Sequence, residues 1–319
     1  MSREYVAGRC IAPFLVLFFL CSWQPGAVAQ QPVLSSHAVP QDVYIPIDSW
    51  VYAALDRLRG LGYLDTAFLG LRPWTRRSIG IMLNEADLEG GIHDDPQAEE
   101  IWQALVSEFP GAGATESFGW RTPTLVYENA YTRLQGIAGL PLRDSFHLGQ
   151  TISNDYGRPY QEGFNTIDGL SGSAQDGGFS LYVRAEYQQA PSAAGYSPAL
   201  FAILSNIDMV PIASNSVQAT IPEGPIPTTN VFRIVEANLS YRILNHQFSF
   251  GKSDHWLSPT QGGSFLYSNN AENIYAFQID RTEPLYVPFL SRLTGPFRYE
   301  FFVGSLKGHS DPNDPWYHL

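Results

Sequence analysis

The sequence predicts a mainly β protein, an antiparallel β-barrel of the outer-membrane type, preceded by a small helical bundle. Three observations lead to this prediction. The chain opens with an export signal, and its hydrophobic periodicity changes from that of helices to that of strands after the first third. The later alternating segments are about ten residues or longer, the length that a tilted strand needs to cross a bilayer.

Residues 1–29 have the features of a secretory signal peptide. Arg3 and Arg9 supply the positive start, an apolar run of ten residues spans Ile11 to Leu20, and Ala27-Val28-Ala29 has the small-x-small pattern of a cleavage site. Ten residues are too few for a membrane-spanning helix, which needs about 20. We therefore expect export and cleavage after Ala29.

The two cysteines, Cys10 and Cys21, both lie in this segment. Anchoring as a lipoprotein at Cys21 is the alternative to cleavage, but Leu20 stands where such a signal requires a small residue. Cleavage removes both thiols and so excludes disulfides, thiolate metal sites and a cysteine nucleophile. The net charge of −12 argues against a nucleic-acid partner, because nucleic acids are bound mainly through phosphate by Lys and Arg.

The rest of the chain divides by composition and periodicity into four parts. We expect a flexible N-terminus at 30–44, a small helical bundle, or a cap packed against something larger, at 45–110, a linker rich in Gly, Ala and Thr at 111–122, and the strands of a partial barrel at 123–319.

Three short amphipathic helices account for the predicted bundle. Asp48 can cap the first helix, which Gly60 can end; Thr75 can cap the second; and Asp95 followed by Pro96 opens the third. The positions predicted to face inward follow helical spacing. They are Val51, Ala54, Leu55, Leu58, Ile79, Met82, Leu83, Ala86, Trp102, Leu105, Val106 and Phe109.

After the linker, apolar and polar residues alternate as they do in strands. The clearest segments are Phe179–Gln188, Val231–Ile243 and Phe297–Lys307. In the second of these, Val235 is placed on the apolar face and Ile234 on the polar face with Glu236. Further strands are predicted near 124–136, 145–153, 246–256 and 273–283, with a hairpin turn at Leu244-Asn245-His246 and long loops at 154–177, 190–229 and 257–272.

A soluble β-sandwich also alternates, but three features favour a membrane barrel. The strands are long, the polar faces carry Arg and Glu together as a wet lumen permits, and aromatic residues recur near strand ends. Short and long connections alternate, as periplasmic turns and outer loops do. The final residues, Asp314 to Leu319, look like a loop leading into another strand, so we expect a C-terminally incomplete barrel.

Hydrolytic and metal chemistry find little support in the sequence. No serine lies in a G-x-S-x-G elbow beside a fixed base. Two acidic segments, Asp254-His255 and Asp311 to Asp314, are candidate cation sites, but the second lacks the closing glutamate of a calcium loop. The serines and histidines considered as catalytic pairs are Ser145, Ser180, Ser253, His147, His246 and His255. We predict no catalytic residue, no metal ligand and no cofactor.

Two segments have the mixture of residues that sugar binding needs, Asn154–Arg158 and 251–270. An aromatic ring accepts the apolar C–H face of a pyranose, while amides and carboxylates bond its hydroxyls. An ordinary loop with aromatic residues near the membrane interface is the alternative reading. The candidate saccharide-binding residues are Asp155, Arg158, Asp254, Trp256, Gln261, Phe265, Tyr267, Asn269 and Asn270.

At these residues the sequence resembles the capsule assembly Wzi family of outer-membrane proteins. The segments that carry the resemblance, in order along the chain, are Ile45–Tyr52, Gly70–Arg76, Phe146–Thr151, Asn154–Arg158, Gly251–Asn270 and Phe301–Gly304 with Gly308-His309. The resemblance implies a barrel on the order of 18 strands with a periplasmic-side bundle. It also implies a non-enzymatic lectin that retains capsular or exopolysaccharide at the cell surface. Ser258-Pro259-Thr260 departs from the Gly-Pro-Gly expected there.

In this hypothesis Trp256, Phe265 and Tyr267 stack on sugar, while Asp254, Asn269 and Asn270 bond hydroxyls. The expected partners are the polysaccharide, outer-membrane lipid and, during biogenesis, the barrel assembly machinery. The charged inner faces leave a porin or polysaccharide export channel as the alternative function, and an outer-membrane hydrolase as a third. The acidic balance disfavours an acidic polysaccharide, although Arg184, Arg233 and Arg242 can compensate locally.

Overall fold

A computed structural model describes residues 39–68, 70–110, 123–139, 152–194, 196–207, 225, 227–260, 262–267 and 269–305. All of them belong to one compact unit, Ala38–Leu319. The predicted signal peptide, the predicted linker, Gln261, and most of the strand predicted near 145–153 lie outside the described residues.

The helical part has the three predicted helices, α1 (Trp50–Leu61), α2 (Arg76–Glu89) and α3 (Pro96–Glu108). A 3₁₀ turn, Ile92–Asp94, precedes α3. The caps of α2 and α3 are Thr75 and Asp95, as predicted. For α1 the prediction was wrong by one or two residues, because the Ser49 side chain accepts the Val51 N–H and the left-handed C-cap is Gly62.

The helices pack around one apolar core, which contains the predicted inward positions of α1 and α2 except Ala54, which is partly buried against it. In α3, Leu105 and Phe109 are buried as predicted, but Val106 is exposed and Ile101 packs against the core instead. The core is completed by residues between the helices, including Leu64, Trp74 and Ile92.

The remaining chain forms one antiparallel sheet of seven strands in sequence order. The strands are β1 (Thr124–Ile137), β2 (Gly163–Asp176), β3 (Phe179–Ala190), β4 (Thr229–Ile243), β5 (His246–Lys252), β6 (Tyr275–Arg281) and β7 (Glu300–Ser305). The predicted strands β1, β3 and β4 have ten residues or more, as expected, whereas β5–β7 have only six or seven residues each. The described residues show a sheet and no barrel closure.

The connections between strands follow the predicted alternation of short and long lengths only in part. Leu244 and Asn245, both at positive φ, make the tight β4–β5 hairpin that the sequence predicts. The β3–β4 connection contains a helix, α4 (Pro198–Ile207), and the β6–β7 connection contains another, α5 (Leu290–Thr294). Neither helix is predicted from the sequence.

Strand β2 occupies most of the predicted loop 154–177, so that prediction was wrong. The glycines and serines of β2 have low β propensity, but the contact with β1 requires a small residue. The ring of Tyr131 on β1 lies directly over Gly169, where a Cβ would fall 2.2 Å from the ring. The Tyr131 ring thus supplies side-chain packing across the strands at a position where β2 has no side chain.

A β-bulge in β4 corrects the predicted faces of that strand. Register shifts opposite Arg184 and Ala185 of β3, so Val235 and Glu236 are both buried and Ile234 is exposed. Strict alternation therefore holds on either side of Val235 but not across it.

The sheet has a polar inner face and an apolar outer face. On β3 the predicted polar set, Ser180 to Gln188 in steps of two, is buried, while Phe179, Leu181 and Tyr187 are exposed. Residues 41–48, part of which was predicted to be a flexible N-terminus, lie across the inner face. Asp42 alone bonds five elements: its carboxylate accepts from Gln175, Arg77 and Arg242, and its carbonyl accepts from Ser180 and Gln247.

Residues 72–77 run antiparallel to this segment and hold it in place. Backbone hydrogen bonds join Ile45 N to Trp74 O (2.9 Å), Arg76 N to Val43 O (3.1 Å) and Arg77 N to Gln41 O (2.9 Å). Part of the inner face is therefore covered by protein, where its charged residues are buried and hydrogen-bonded.

Candidate functional site

The two sugar-binding candidate segments, far apart in sequence, lie side by side in the structure. The Tyr156 N–H donates to Asn269 O (2.7 Å), and the Asn154 N–H donates to Asn270 Oδ1 (2.5 Å). Asn154 and Tyr156 both have positive φ, which lets this short turn present successive N–H groups to the second loop. The loop after β1 and the loop after β5 thus form one surface.

An arginine fixes the first loop to the sheet. Arg158 is buried, and its guanidinium donates to Glu186 Oε2 on β3 (2.8 Å from Nε) and to Asp155 Oδ1 (2.6 Å from Nη1). Asp155 accepts further from Arg133 of β1 (2.7 Å) and from Tyr160. Charge-assisted bonds of this kind are strong and directional, so the loop has little freedom to move.

Asp254 fixes the second loop from below. It is fully buried and accepts hydrogen bonds from the Tyr156 hydroxyl (2.9 Å), the Asn273 amide (2.8 Å) and the Ile47 N–H (3.1 Å). Burial, together with the nearby charge of Asp48, raises the pKa of Asp254 above its ordinary value. Burial also raises the pKa of Tyr156 well above its ordinary value, so its hydroxyl stays a donor.

Trp256 attaches the same loop to the chain before α2. It is 4% exposed, and its backbone exchanges two hydrogen bonds with Arg72 (2.9 and 3.2 Å). The indole N–H donates to Thr260 O (2.9 Å), across the Ser258-Pro259-Thr260 turn that replaces the expected glycine-rich one. Trp256 therefore supports the loop from inside.

Above these supports lies an accessible group that we call the surface patch: Asn154, Phe265, Leu266, Tyr267 and Asn270. Phe265 is 76% exposed, and Leu266 and Asn270 are also exposed. Tyr267 is half-buried, because its ring packs edge-on against His255 (centroids 5.4 Å apart). The patch combines an aromatic face with amide groups on a loop that is held at both ends.

A model of the family described as "Capsule assembly protein Wzi" matches residues 133–319, more than half of the chain. The chain belongs to the Wzi family. The family resemblance inferred from the sequence is thereby confirmed, although the segments Ile45–Tyr52 and Gly70–Arg76 precede the matched region. No curated protein and no solved structure matches the chain.

Membership in the Wzi family implies a role in capsule assembly and an outer-membrane location. The matched region begins within β1 and includes both loops of the surface patch. Among the described residues, none of the helices has both the length and the apolar composition that a bilayer-spanning helix needs.

The predicted saccharide-binding residues differ in their accessibility. Gln261 lies outside the described residues. The buried candidates, which can support the loops but do not face solvent, are Asp155, Arg158, Asp254, Trp256 and Asn269. Phe265, Tyr267 and Asn270 are accessible. Leu266 was missed, because a lone leucine in a loop carries no signal in the sequence.

The serine and histidine candidates do not pair in the described region. Ser180 donates to Asp42 O (2.7 Å) and Ser253 to Gln278 Oε1 (3.3 Å). His255 Nδ1 is 2.9 Å from Glu300 Oε1. Ser145, His147 and the acidic cluster at 311–314 lie outside the described residues. Among the described residues, no group of three or more acidic, histidine or cysteine side chains could hold a metal ion.

Proposed function

We propose that this protein is a non-enzymatic lectin of the outer membrane, which binds capsular or exopolysaccharide at the surface patch and retains it at the cell surface. The observation that carries the proposal is the joining of two loops into one patch, in which Phe265 and Asn270 are both exposed. Family membership supplies the context of capsule assembly.

The rigid support beneath the patch favours binding. Ordering a loop on association costs free energy, and a loop already held in place avoids that cost. Here Arg158 and Asp254 hold the two loops through buried hydrogen bonds, so the aromatic and amide groups are presented in a fixed arrangement. Phe265 offers the face for a pyranose ring, and Asn270 offers an amide for its hydroxyls.

The apolar outer face supports the proposed location, with membrane lipid as a partner. Exposed residues on it include Leu134, Leu170, Phe232, Phe250 and Phe301, from five different strands. Such a broad exposed apolar face is unfavourable in water and suits contact with acyl chains. Export by the N-terminal signal and insertion by the barrel assembly machinery belong to the same proposal.

The inner face gives the alternative, a porin or export channel, less support. Residues 41–48 cross it, and Tyr44, at its centre, bonds Ser249 of β5 (2.8 Å) and Asp280 of β6 (2.5 Å). A steady conductance in planar bilayers would favour a channel, and electrical silence favours a lectin whose inner face is filled.

The test is a binding assay on the full-length chain in detergent, with the host's own surface polysaccharide and an unrelated neutral one. Phe265→Ala combined with Asn270→Ala should weaken binding about tenfold or more, the loss expected for one stacking contact and one hydrogen bond. The matched control is Phe289→Ala, which removes an equally exposed phenyl ring from the β6–β7 connection.

Selective, saturable retention without change in polymer length supports a lectin. Unchanged affinity in the double variant would refute the assignment to the patch. Shortening of the polymer would instead indicate a hydrolase.

A further inference from the structure

A cavity of about 510 Å³ lies between the inner face of β1–β3 and residues 44–51. Its volume is within the range of about 300–1,000 Å³ typical of small-molecule sites. None of its lining residues belongs to the surface patch. Nothing in the proposed function assigns a role to it.

A β-bulge in β1 directs two consecutive side chains into this cavity. The register of β1 with β2 shifts between Tyr127 and Asn129, and both Glu128 and Asn129 line the cavity. Bulges redirect side chains and are over-represented next to functional sites. The strand thus departs from simple alternation at the place where polar groups are needed.

The charges around the cavity are already balanced. Arg76 pairs with Glu128 (2.5 Å) and Arg184 with Asp48 (3.0 Å). Arg133 pairs with Asp155 of the first loop (2.7 Å). Because each guanidinium has a carboxylate partner, an anionic ligand would have to displace one, whereas an uncharged polyhydroxyl ligand can share these donors and acceptors.

Three accessible groups of different chemistry converge on the cavity. Trp50 is 49% exposed, and the side chains of Asp48 and Arg133 are 41% and 37% exposed. Trp50 is not part of the helical core, whose α1 members begin with Val51 and Tyr52. An exposed indole, an acceptor and a donor that line one cavity are the groups that a sugar ring requires.

We propose that this cavity is a second saccharide site, which binds a short uncharged oligosaccharide of about two or three sugars. Trp50 stacks on the C–H face of a pyranose, and Asp48 and Arg133 bond its hydroxyls. This inference rests on the proposed lectin function and adds to it a site on the inner side of the sheet.

The test is calorimetric titration of the full-length chain in detergent with maltotriose and cellotriose, and with trigalacturonate as a charged comparison. Trp50→Ala should weaken binding of a neutral trisaccharide at least tenfold, and Trp50→Phe should restore most of it. Leu88→Ala, which removes an exposed side chain from α2, should leave it unchanged, and Phe265→Ala shows how much of the binding belongs to the surface patch. Equal thermal unfolding of all variants shows that they are folded.

The outcomes separate this inference from the lectin function. If Phe265→Ala abolishes trisaccharide binding and Trp50→Ala does not, the cavity proposal is wrong and the surface patch takes the sugar. If the wild-type chain retains polysaccharide but no neutral trisaccharide, the cavity proposal is also wrong. If it binds neither, both proposals are wrong. Tight binding of trigalacturonate through Trp50 would overturn the preference for an uncharged ligand.

Discussion

Removal of the Arg158 guanidinium should destabilise the protein by about 3 kcal/mol. Breaking a buried ion pair from one side typically costs about 3–5 kcal/mol, because the other charge is left without its partner. Here Arg158→Ala affects two buried carboxylates, but each keeps another arginine: Asp155 keeps Arg133 (2.7 Å) and Glu186 keeps Arg184 (3.4 Å). The lower end of the range is therefore expected, a change of about a hundredfold in the unfolding equilibrium.

Guanidinium-induced unfolding in detergent micelles, followed by tryptophan fluorescence, measures this change. Arg57→Ala is the matched control, since Arg57 is an exposed arginine bonded only to Gln97 (2.6 Å) in the described residues, and it should alter the free energy of unfolding by about 0.5 kcal/mol or less. Arg158→Lys keeps the charge but loses the forked geometry and should fall between the two. If Arg158→Ala is no more destabilising than Arg57→Ala, the proposed support of the first loop is wrong.

Three further predictions use the same preparation. Gly251→Ala should destabilise the sheet by at least about 2 kcal/mol, because Gly251 has φ +140° and a Cβ would lie 1.9 Å from a carbonyl oxygen of β4. The control, Gly263→Ala, should have little effect, because there is open space around Gly263. Tyr44→Phe should cost about 1–3 kcal/mol in the unfolding assay, because half-buried Asp280 loses a donor and buried Ser249 loses its partner; a cost below about 0.5 kcal/mol would contradict this. Hydrogen bonds to Asp87 and Glu99 raise the pKa of His93 above 6.5. The charged imidazole therefore stabilises the folded protein fully below pH 6.5, and this contribution is lost as the pH rises through the raised pKa. An NMR titration of the His93 imidazole with a midpoint at or below 6.5 would refute this prediction.

The sequence predicts the helical part well because its determinants are local. Thr75 and Asp95 bond N–H groups within three residues, so the helix starts can be read from short motifs. The exception is the face of α3. Its apolar residues Ile101 and Val106 both fit a helical stripe, and only the packing of neighbouring helices decides between them.

Strand prediction failed where contacts between strands replace local propensity. Gly169 is stable in β2 because Tyr131 covers it from β1, and the bulge at Val235 is set by register against β3. Neither the ring contact nor the register shift can be predicted from the sequence of one strand. The charged inner face was predicted to line a wet lumen, and in the structure residues 41–48 hydrogen-bond to part of it.

The candidate site was predicted in composition but not in arrangement. The mixture of aromatic and amide residues located both loops, and the structure shows that they meet. Which residues are accessible depends on contacts such as that of Tyr156 with Asp254, which lie 98 residues apart. Such distant pairs decide that Trp256 and Asp254 support the loop while Phe265 faces solvent.

The most direct test of the account is the distribution of capsular polysaccharide between cells and medium. Cells lacking the protein would be supplied with either the wild-type chain or the Phe265→Ala, Asn270→Ala variant, each present in the outer membrane at the same level. We predict that total polysaccharide is unchanged while the cell-bound fraction falls in the variant and the released fraction rises. An unchanged cell-bound fraction would contradict retention of polysaccharide by the surface patch.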